Sequence, residues 1–317
     1  MNAPIYLAEE DVRRLLTVKD ALAALEECFA HWRDGGITNI DRRRAPVDGG
    51  NFNLMGAGYG YKQVYGLKAY FAGRSGARYH VLLYSTEDAR LKAMIEADLL
   101  GAIRTGAASG IATRLLAKRD AQTLAVIGTG KQAIHQVAAI VAVRPIKSVR
   151  AYSRTAENRT AFAKAIEQQL SVSAAPSADA ASCVAGADVV VTITKSAEPV
   201  CRGVWLAQGV HVNAAGANSA ERRELDADAV LKANVIVTDS RSQAQVEAGE
   251  IRDLAAVGRL DWARVHELGD IAAGKVAGRG SDRDITLFKS LGIGLEDVAF
   301  AELAYRRALE AGAGKPF

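Results

Sequence analysis

Val126-Ile127-Gly128-Thr129-Gly130-Lys131-Gln132-Ala133 is the stretch that decides the fold. The apolar run Leu124 to Ile127 enters a glycine turn, and a helix-compatible run follows from Gln132 to Val143. The order is strand, tight turn, helix. Gly128 allows the sharp turn, and Gly130 has no side chain to keep a pyrophosphate from the helix N-terminus. Ala133, in place of a third glycine, keeps the helix close to the strand. Thr129, Lys131 and Gln132 complete the loop. An ordinary glycine turn in an α/β domain would show the same short pattern. The strand before it, the helix after it and a second strand at Ser148 to Tyr152 favour a dinucleotide-binding loop.

The end of that second strand selects the cofactor. An acidic side chain there would accept hydrogen bonds from the adenosine ribose and repel a phosphate. This chain instead has Ser153-Arg154-Thr155, one cation and two hydroxyls at a helix start. That set suits a 2′-phosphate, so NADP(H) is expected in preference to NAD(H), which stays open. A solvated surface arginine is the competing reading of Arg154.

The remaining composition narrows the field. The 317 residues are enough for two ordinary domains, and 49% hydrophobic with 24% charged residues is usual for a globular protein. The net charge of +4 is small and interspersed, which gives no nucleic-acid face. Cys28, Cys183 and Cys201 are far apart and odd in number, so neither a disulfide framework nor a zinc spacing is visible. This fits a reducing cytoplasm. The five histidines form no ligand pair, and no metal is expected. No targeting signal or bilayer-spanning run is seen, so no membrane partner is expected.

The first third mixes elements. Glu9 to Leu16 reads as a short helix. Thr17 with Asp20 forms a capping-box pattern that opens a helix from Val18 to about Asp34, stopped by Gly35-Gly36. Strand-like runs follow at Arg42 to Val47, Asn51 to Met55, Gly66 to Phe71, Tyr79 to Ser85 and Leu91 to Ala97. Turns such as Asp48-Gly49-Gly50 and Ala72-Gly73-Arg74-Ser75-Gly76 join them, giving an antiparallel sheet with helices beside it. Asp98 to Leu116 is a long helix rich in Ala and Gly. From Asp120 short apolar strands alternate with helices: Leu124–Ile127, Val149–Tyr152, Val189–Thr192, His211–Asn213, Val235–Val237 and Ile285–Phe288. Such strands imply a parallel sheet covered on both faces. Gly294 to Ala311 reads as an amphipathic helix. The expected fold is therefore α/β: a Rossmann-type doubly wound parallel sheet over 118–293, plus an α+β substrate-binding and dimerisation domain with a mainly antiparallel sheet over 1–117 and 294–317.

Three cations stand out in the non-nucleotide part. Alternation places Arg42 and Arg44 on one strand face and Arg43 on the other. Lys68 lies inside an apolar strand, and Arg104 inside the small-residue helix. A buried cation needs an anionic partner. From spacing alone, that partner is equally an internal acid such as Glu96 or a substrate carboxylate.

The chain resembles the ornithine cyclodeaminase/μ-crystallin family along nearly its whole length. The resemblance rests on Arg42 ahead of Met55, Gly66-Leu67-Lys68, Ala102-Ile103-Arg104-Thr105-Gly106-Ala107-Ala108-Ser109, the Gly128–Ala133 loop, Val212-Asn213-Ala214-Ala215-Gly216 and Thr286-Leu287-Phe288-Lys289-Ser290-Leu291-Gly292. It implies a homodimer acting on small α-amino or α-imino acids with a nicotinamide cofactor. By resemblance Arg42, Lys68 and Arg104 hold the substrate carboxylate. Thr192, Ala214, Ser290, Leu291 and Gly292 join Gly128 to Gln132 and Ser153 to Thr155 against the cofactor.

Two departures separate branches of the family. Where cyclodeaminases and the related alanine dehydrogenases carry an Asp, this chain has Asn218, and an amide is no general base near neutral pH. Where the cyclodeaminase carries another Asp, this chain has Lys289. Lys289-Ser290-Leu291-Gly292 looks like the μ-crystallin branch of ketimine reductases that use NADPH. A neighbouring residue taking over the role of the Asp is the alternative for Asn218. The expected activity is NADPH-dependent reduction of a small, cyclic α-imino acid, with Lys68 as candidate proton donor and Asn218 hydrogen-bonding the nitrogen. The alternatives are an ornithine cyclodeaminase, an alanine or other amino-acid dehydrogenase, and a non-catalytic NADPH-dependent ligand-binding protein.

Overall fold

The computed structural model describes residues 3–33, 35–74 and 76–316. The expected helix end at Asp34, and Ser75 of the expected turn, lie outside the described residues. The chain divides into two compact units, residues 1–104 with 293–317 and residues 105–292. The division falls inside the helix Asp98–Leu116, earlier than the boundary after residue 117 that composition suggests.

Among the described residues the first unit holds seven strands: β1 (Ile5–Leu7), β2 (Ile37–Val47), β3 (Gly50–Tyr59), β4 (Val64–Gly73), β5 (Gly76–Ser85), β6 (Leu91–Glu96) and, at the far end of the chain, Lys315–Pro316. Strands β2 to β6 form an antiparallel meander. β1 adds to β6 in parallel and the terminal strand pairs with β1. The three-residue β1 and two-residue terminal strand are too short to carry a periodic signal. The capping box forms as expected: Asp20 N donates to Thr17 Oγ1 at 3.3 Å and Thr17 N to Asp20 Oδ2 at 2.8 Å. The helix it opens, Val18–Ala30, passes into a 3₁₀ turn at His31–Arg33.

Strand alternation sorts this sheet into two faces. Met55, Ala57 and Tyr59 of β3 are buried, while Phe52 and Leu54 are exposed. The C-terminal helix Gly294–Ala311 packs on the buried face. It comes very close there, because a Cβ at Gly294 would lie 2.6 Å from the Gly56 carbonyl oxygen. One at Gly66 would meet Val298 at 3.1 Å. Glycines on both elements are what allow the helix start to sit on the sheet.

The second unit holds eight parallel strands: β7 (Thr123–Ile127), β8 (Ser148–Tyr152), β9 (Ser173–Pro176), β10 (Val189–Thr192), β11 (His211–Ala214), β12 (Val235–Thr238), β13 (Val265–Glu267) and β14 (Thr286–Lys289). Their order is β13-β12-β14-β11-β10-β7-β8-β9. Strands run outward from β7 in both directions, so the order reverses between β7 and β10. Leu124, Val126, Val189 and Val191 belong to one apolar cluster, and Ala125, Ile127, Val190 and Val212 to another. The sheet is therefore covered on both faces, as the short apolar runs imply. Strands β9 and β13 escape the sequence reading because Ser173–Pro176 is mostly exposed and Val265–Glu267 is short. The three cysteines are buried thiols.

Candidate active site

In the first unit the three singled-out cations are all buried: Arg42 is 8% exposed, Lys68 4% and Arg104 6%. Arg43 and Arg44 are exposed. Simple alternation does not run through this stretch, because the β2–β3 pairing shifts register between Ile40 and Arg43. Arg42 lies in the interruption, where its side chain is turned inward. Lys68 pairs across the ladder with buried Met55, on the inner face. Gly101 makes room for its head, since a Cβ there would be 3.0 Å from Lys68 Nζ.

The acids that meet these cations are Glu296 and Asp297, not Glu96. Lys68 Nζ donates to Asp297 Oδ1 at 2.9 Å, Arg104 Nε to the same oxygen at 3.0 Å, and Arg104 Nη1 to Glu296 Oε2 at 2.6 Å. Both carboxylates are fully buried. Glu96 instead accepts from Tyr6 Oη at 2.7 Å and Glu9 N at 2.8 Å. Sequence reading missed the two acids because Glu296 and Asp297 sit in the first turn of a helix, where acids normally stabilise the N-terminus from the solvent side. The sign that they do more is Gly294 just before them, which seats that turn on the sheet.

The electrostatics of the cluster follow from burial and charge count. Burial pushes the Lys68 ammonium pKa down, Asp297 opposes this, and Arg104 and Arg42 add to it. For Asp297, burial favours the neutral acid, but Arg104, Lys68 and Arg42 outweigh it and hold the carboxyl below its usual range. Arg42 therefore belongs to the same field as the ion-paired groups. Among the described residues, the buried charges of this cluster are Arg42, Lys68, Arg104, Glu296 and Asp297. Asp297 Oδ2 is buried without a hydrogen-bond partner. Tyr79 closes one side, with Lys68 Nζ 5.0 Å from its ring centroid. Partly exposed Asp98 adds a negative charge within reach of that tyrosine.

In the second unit the glycine loop has the expected build. Gly128 has φ +107°, and a Cβ there would lie 2.4 Å from the Ile193 carbonyl oxygen. Its N–H donates to Tyr152 O at 2.8 Å, which ties the loop to the end of β8. A Cβ at Gly130 would meet nothing within 4 Å. Ala133 is buried at the start of the helix Ala133–Val143, and Gln132 before it gives no side-chain cap. A helix start without a side-chain cap, beside the open space at Gly130, fits a pyrophosphate. The loop lies at the carboxyl end of β7, beside the reversal of strand order where such sheets bind ligands. On the other lip, Thr192 ends β10 fully buried, with its hydroxyl unpartnered.

Two buried carboxylates organise the rest of this edge, and sequence reading named neither. Glu224 accepts from Thr194 N at 2.6 Å, Thr194 Oγ1 at 2.8 Å, Gly216 N at 2.7 Å and Ala217 N at 3.1 Å. It joins the loops after β10 and β11, and half-buried Asn218 follows directly. Asp239 accepts from Leu291 N at 2.8 Å, Gly292 N at 2.7 Å and Ser290 Oγ at 3.2 Å. Ser290, Leu291 and Gly292 thus have their donors turned inward. Lys289 forms a buried ion pair with Glu250 at 2.9 Å. Ser153 is half-buried, and Arg154 and Thr155 are exposed at the end of β8.

Among the described residues no helix is long and apolar enough to cross a membrane. The profile of the Ornithine cyclodeaminase/mu-crystallin family matches residues 3–312. A Delta(1)-pyrroline-2-carboxylate reductase of Bacillus cereus is 39% identical over 236 residues, 74% of this chain and 72% of the relative. The solved structure of Thermococcus litoralis Delta(1)-pyrroline-2-carboxylate reductase in complex with NADH and L-proline superimposes with a TM-score of 0.95. It is 30% identical, covering 99% of this chain and all of that one. An archaeal alanine dehydrogenase dimer with bound NAD gives a TM-score of 0.93 at 30% identity, covering 99% of this chain and 98% of that one. The buried cations, the glycine loop and these matches over nearly the full length agree: the chain belongs to the ornithine cyclodeaminase/μ-crystallin family.

Proposed function

We propose that this protein reduces a small α-imino acid to the amino acid with a nicotinamide cofactor, NADPH in preference to NADH. The chain is an oxidoreductase acting on carbon–nitrogen bonds, in line with the reductases it resembles. The observation that carries the reading is the buried group Arg42, Lys68 and Arg104, gathered with Glu296 and Asp297 inside the first unit. An α-carboxylate entering it would meet cationic hydrogen-bond donors held inside the fold. Each charge-assisted hydrogen bond made there is worth about 1.5–3 kcal/mol.

When bound, the dinucleotide supplies the hydride, and the chain supplies position and charge. Arg42 and Arg104 fix the substrate carboxylate, and Asp297 holds both Lys68 and Arg104 in place. An imine accepts hydride better when its nitrogen is protonated. Lys68 is the proposed donor, because burial already lowers its pKa and makes it a stronger acid than a solvated lysine. Asn218 would hydrogen-bond the nitrogen without taking its proton. The substrate is cyclic in this reading, of the pyrroline-2-carboxylate kind named for two of the relatives. NADPH is favoured by Arg154 between two hydroxyl residues with no acid among them.

A homodimer built through the first unit is part of the same proposal. Phe52, Leu54, Tyr65 and Phe71 are exposed on the outer face of β3 and β4, and Ile40 and Val47 on the edge strand β2. Phe52 pairs with Phe71 across the ladder, so the apolar surface is continuous. Such a patch is the usual mark of a protein contact.

Likeness to an alanine dehydrogenase supports a second reading, oxidation of an amino acid. Following NADPH absorbance with cyclic and linear α-imino acids, alongside alanine oxidation and ammonia release from ornithine, separates the two. NADPH consumption with a cyclic imino acid is the expected result. Turnover of alanine or ornithine alone would replace the reductase reading.

A further inference from the structure

We propose that Arg159 is a second, pre-set determinant of 2′-phosphate recognition, working with Arg154. This rests on the NADP(H) reading above and goes beyond it by naming a residue outside the Ser153-Arg154-Thr155 stretch.

The end of β8 lies beside the glycine loop, since Gly128 N donates to Tyr152 O at 2.8 Å. Arg159 is one turn into the helix Ala156–Leu170, its own N–H donating to Thr155 O at 3.3 Å. That turn brings its side chain back to the strand end. The guanidinium lies 5.5 Å from the Tyr152 ring centroid, and Nη1 donates to Ser153 O at 3.1 Å. Two contacts thus fix the head of Arg159 at the peptide where a cofactor-selecting side chain belongs. Neither contact is a carboxylate, so the positive charge is not neutralised locally. A guanidinium carries five N–H donors, and one is directed to Ser153.

A phosphomonoester is close to a dianion near neutral pH, and a ribose hydroxyl is neutral. One exposed arginine balances half of that charge and must first lose its rotamer freedom. Arg159 is held already by ring and carbonyl, and a planar fork fixed in advance loses less entropy on binding. The Ser153 hydroxyl donates to Thr155 O at 3.1 Å, which folds the chain around Arg154 into a tight turn just before the helix that carries Arg159. Exposed Arg154 lies in the turn whose Ser153 carbonyl holds Arg159.

The competing role for Arg159 is to close the turn through its bond to Ser153 O and nothing more. Calorimetric titration with adenosine 2′,5′-bisphosphate and with AMP tests the difference, because the two differ at the 2′-phosphate. Arg159→Gln keeps a donor able to reach Ser153 O and removes the charge. It is expected to weaken the bisphosphate by about tenfold or more and AMP by less than about twofold. Arg159→Lys, which keeps charge without the fork, should fall between. The double change with Arg154→Gln should remove most of the preference. Equal weakening of both ligands by Arg159→Gln, or no weakening while Arg154→Gln alone discriminates, would overturn the role of Arg159 and leave the NADP(H) reading standing. Equal binding of both ligands by the unaltered protein would defeat the NADP(H) reading, and this one with it.

Discussion

Replacing Asp297 with Asn probes the cluster at its centre. Asp297 Oδ1 accepts from Lys68 at 2.9 Å and Arg104 at 3.0 Å, so the change removes one negative charge between two cations. At 2.9 Å and an effective dielectric of about 20, the Lys68–Asp297 attraction is about 6 kcal/mol. Measured losses on breaking buried pairs are about 3–5 kcal/mol. Losing that attraction lowers the Lys68 pKa further. The sign is fixed by the surroundings: burial, Arg104 and Arg42 all push Lys68 down, and Asp297 is the group that pushes it up. If Lys68 gives the proton, kcat/KM falls at high pH as the ammonium is lost. In Asp297→Asn that alkaline limb should move acidward. Protonation of the free imine would also produce an alkaline limb, but that limb belongs to the substrate and cannot move with the protein. A folded Asp297→Asn enzyme whose limb coincides with that of the parent would refute Lys68 as donor.

Acid stability tests a different buried group. Burial holds His211 down to about 3, between Thr286 Oγ1 at 2.9 Å and Asn213 Oδ1 at 3.2 Å. The unfolded chain binds its proton at ordinary histidine pKa, so this stability is complete above about 6.5 and is lost as pH falls toward 3, on the order of 5 kcal/mol in all. Urea unfolding at stepped pH should show the loss, and His211→Gln should flatten that part of the profile; an unchanged slope would place the acid sensitivity elsewhere. Leu54→Arg puts a charge on the exposed apolar face of β3, and light scattering should show dissociation to monomers. A dimer that survives it would move the contact off this face.

The parallel half of the fold was legible because its strands are short apolar runs between helices, and because Gly128, Gly130 and Ala133 sit at a strand–helix junction. The antiparallel half was legible from its turns, but its strands proved longer than their apolar centres. β3 runs the length of Gly50–Tyr59, for example, against the strand-like run Asn51 to Met55. Ladder pairing, not side-chain pattern, sets such ends. For the site, the buried cations could be picked out as charges within apolar or small-residue segments. Their partners could not, since Glu296 and Asp297 lie far along the chain from Lys68 and Arg104. They reach those residues only because glycine permits a close helix–sheet approach. The inward turn of Arg42 was equally hidden, as it comes from a register shift. Glu224 and Asp239 resemble ordinary surface acids until the loops they join are seen in space.

The most direct measurement compares Δ1-pyrroline-2-carboxylate with 1-pyrroline, which lacks the carboxylate, as substrates for NADPH oxidation by the unaltered protein and by Arg104→Ala. If the buried cations grip the acid group, kcat/KM should favour the carboxylate by about a hundredfold or more. Most of that margin should disappear in Arg104→Ala while NADPH binding persists. Equal turnover of the two imines by the unaltered protein, or an undiminished margin in Arg104→Ala, would contradict the account.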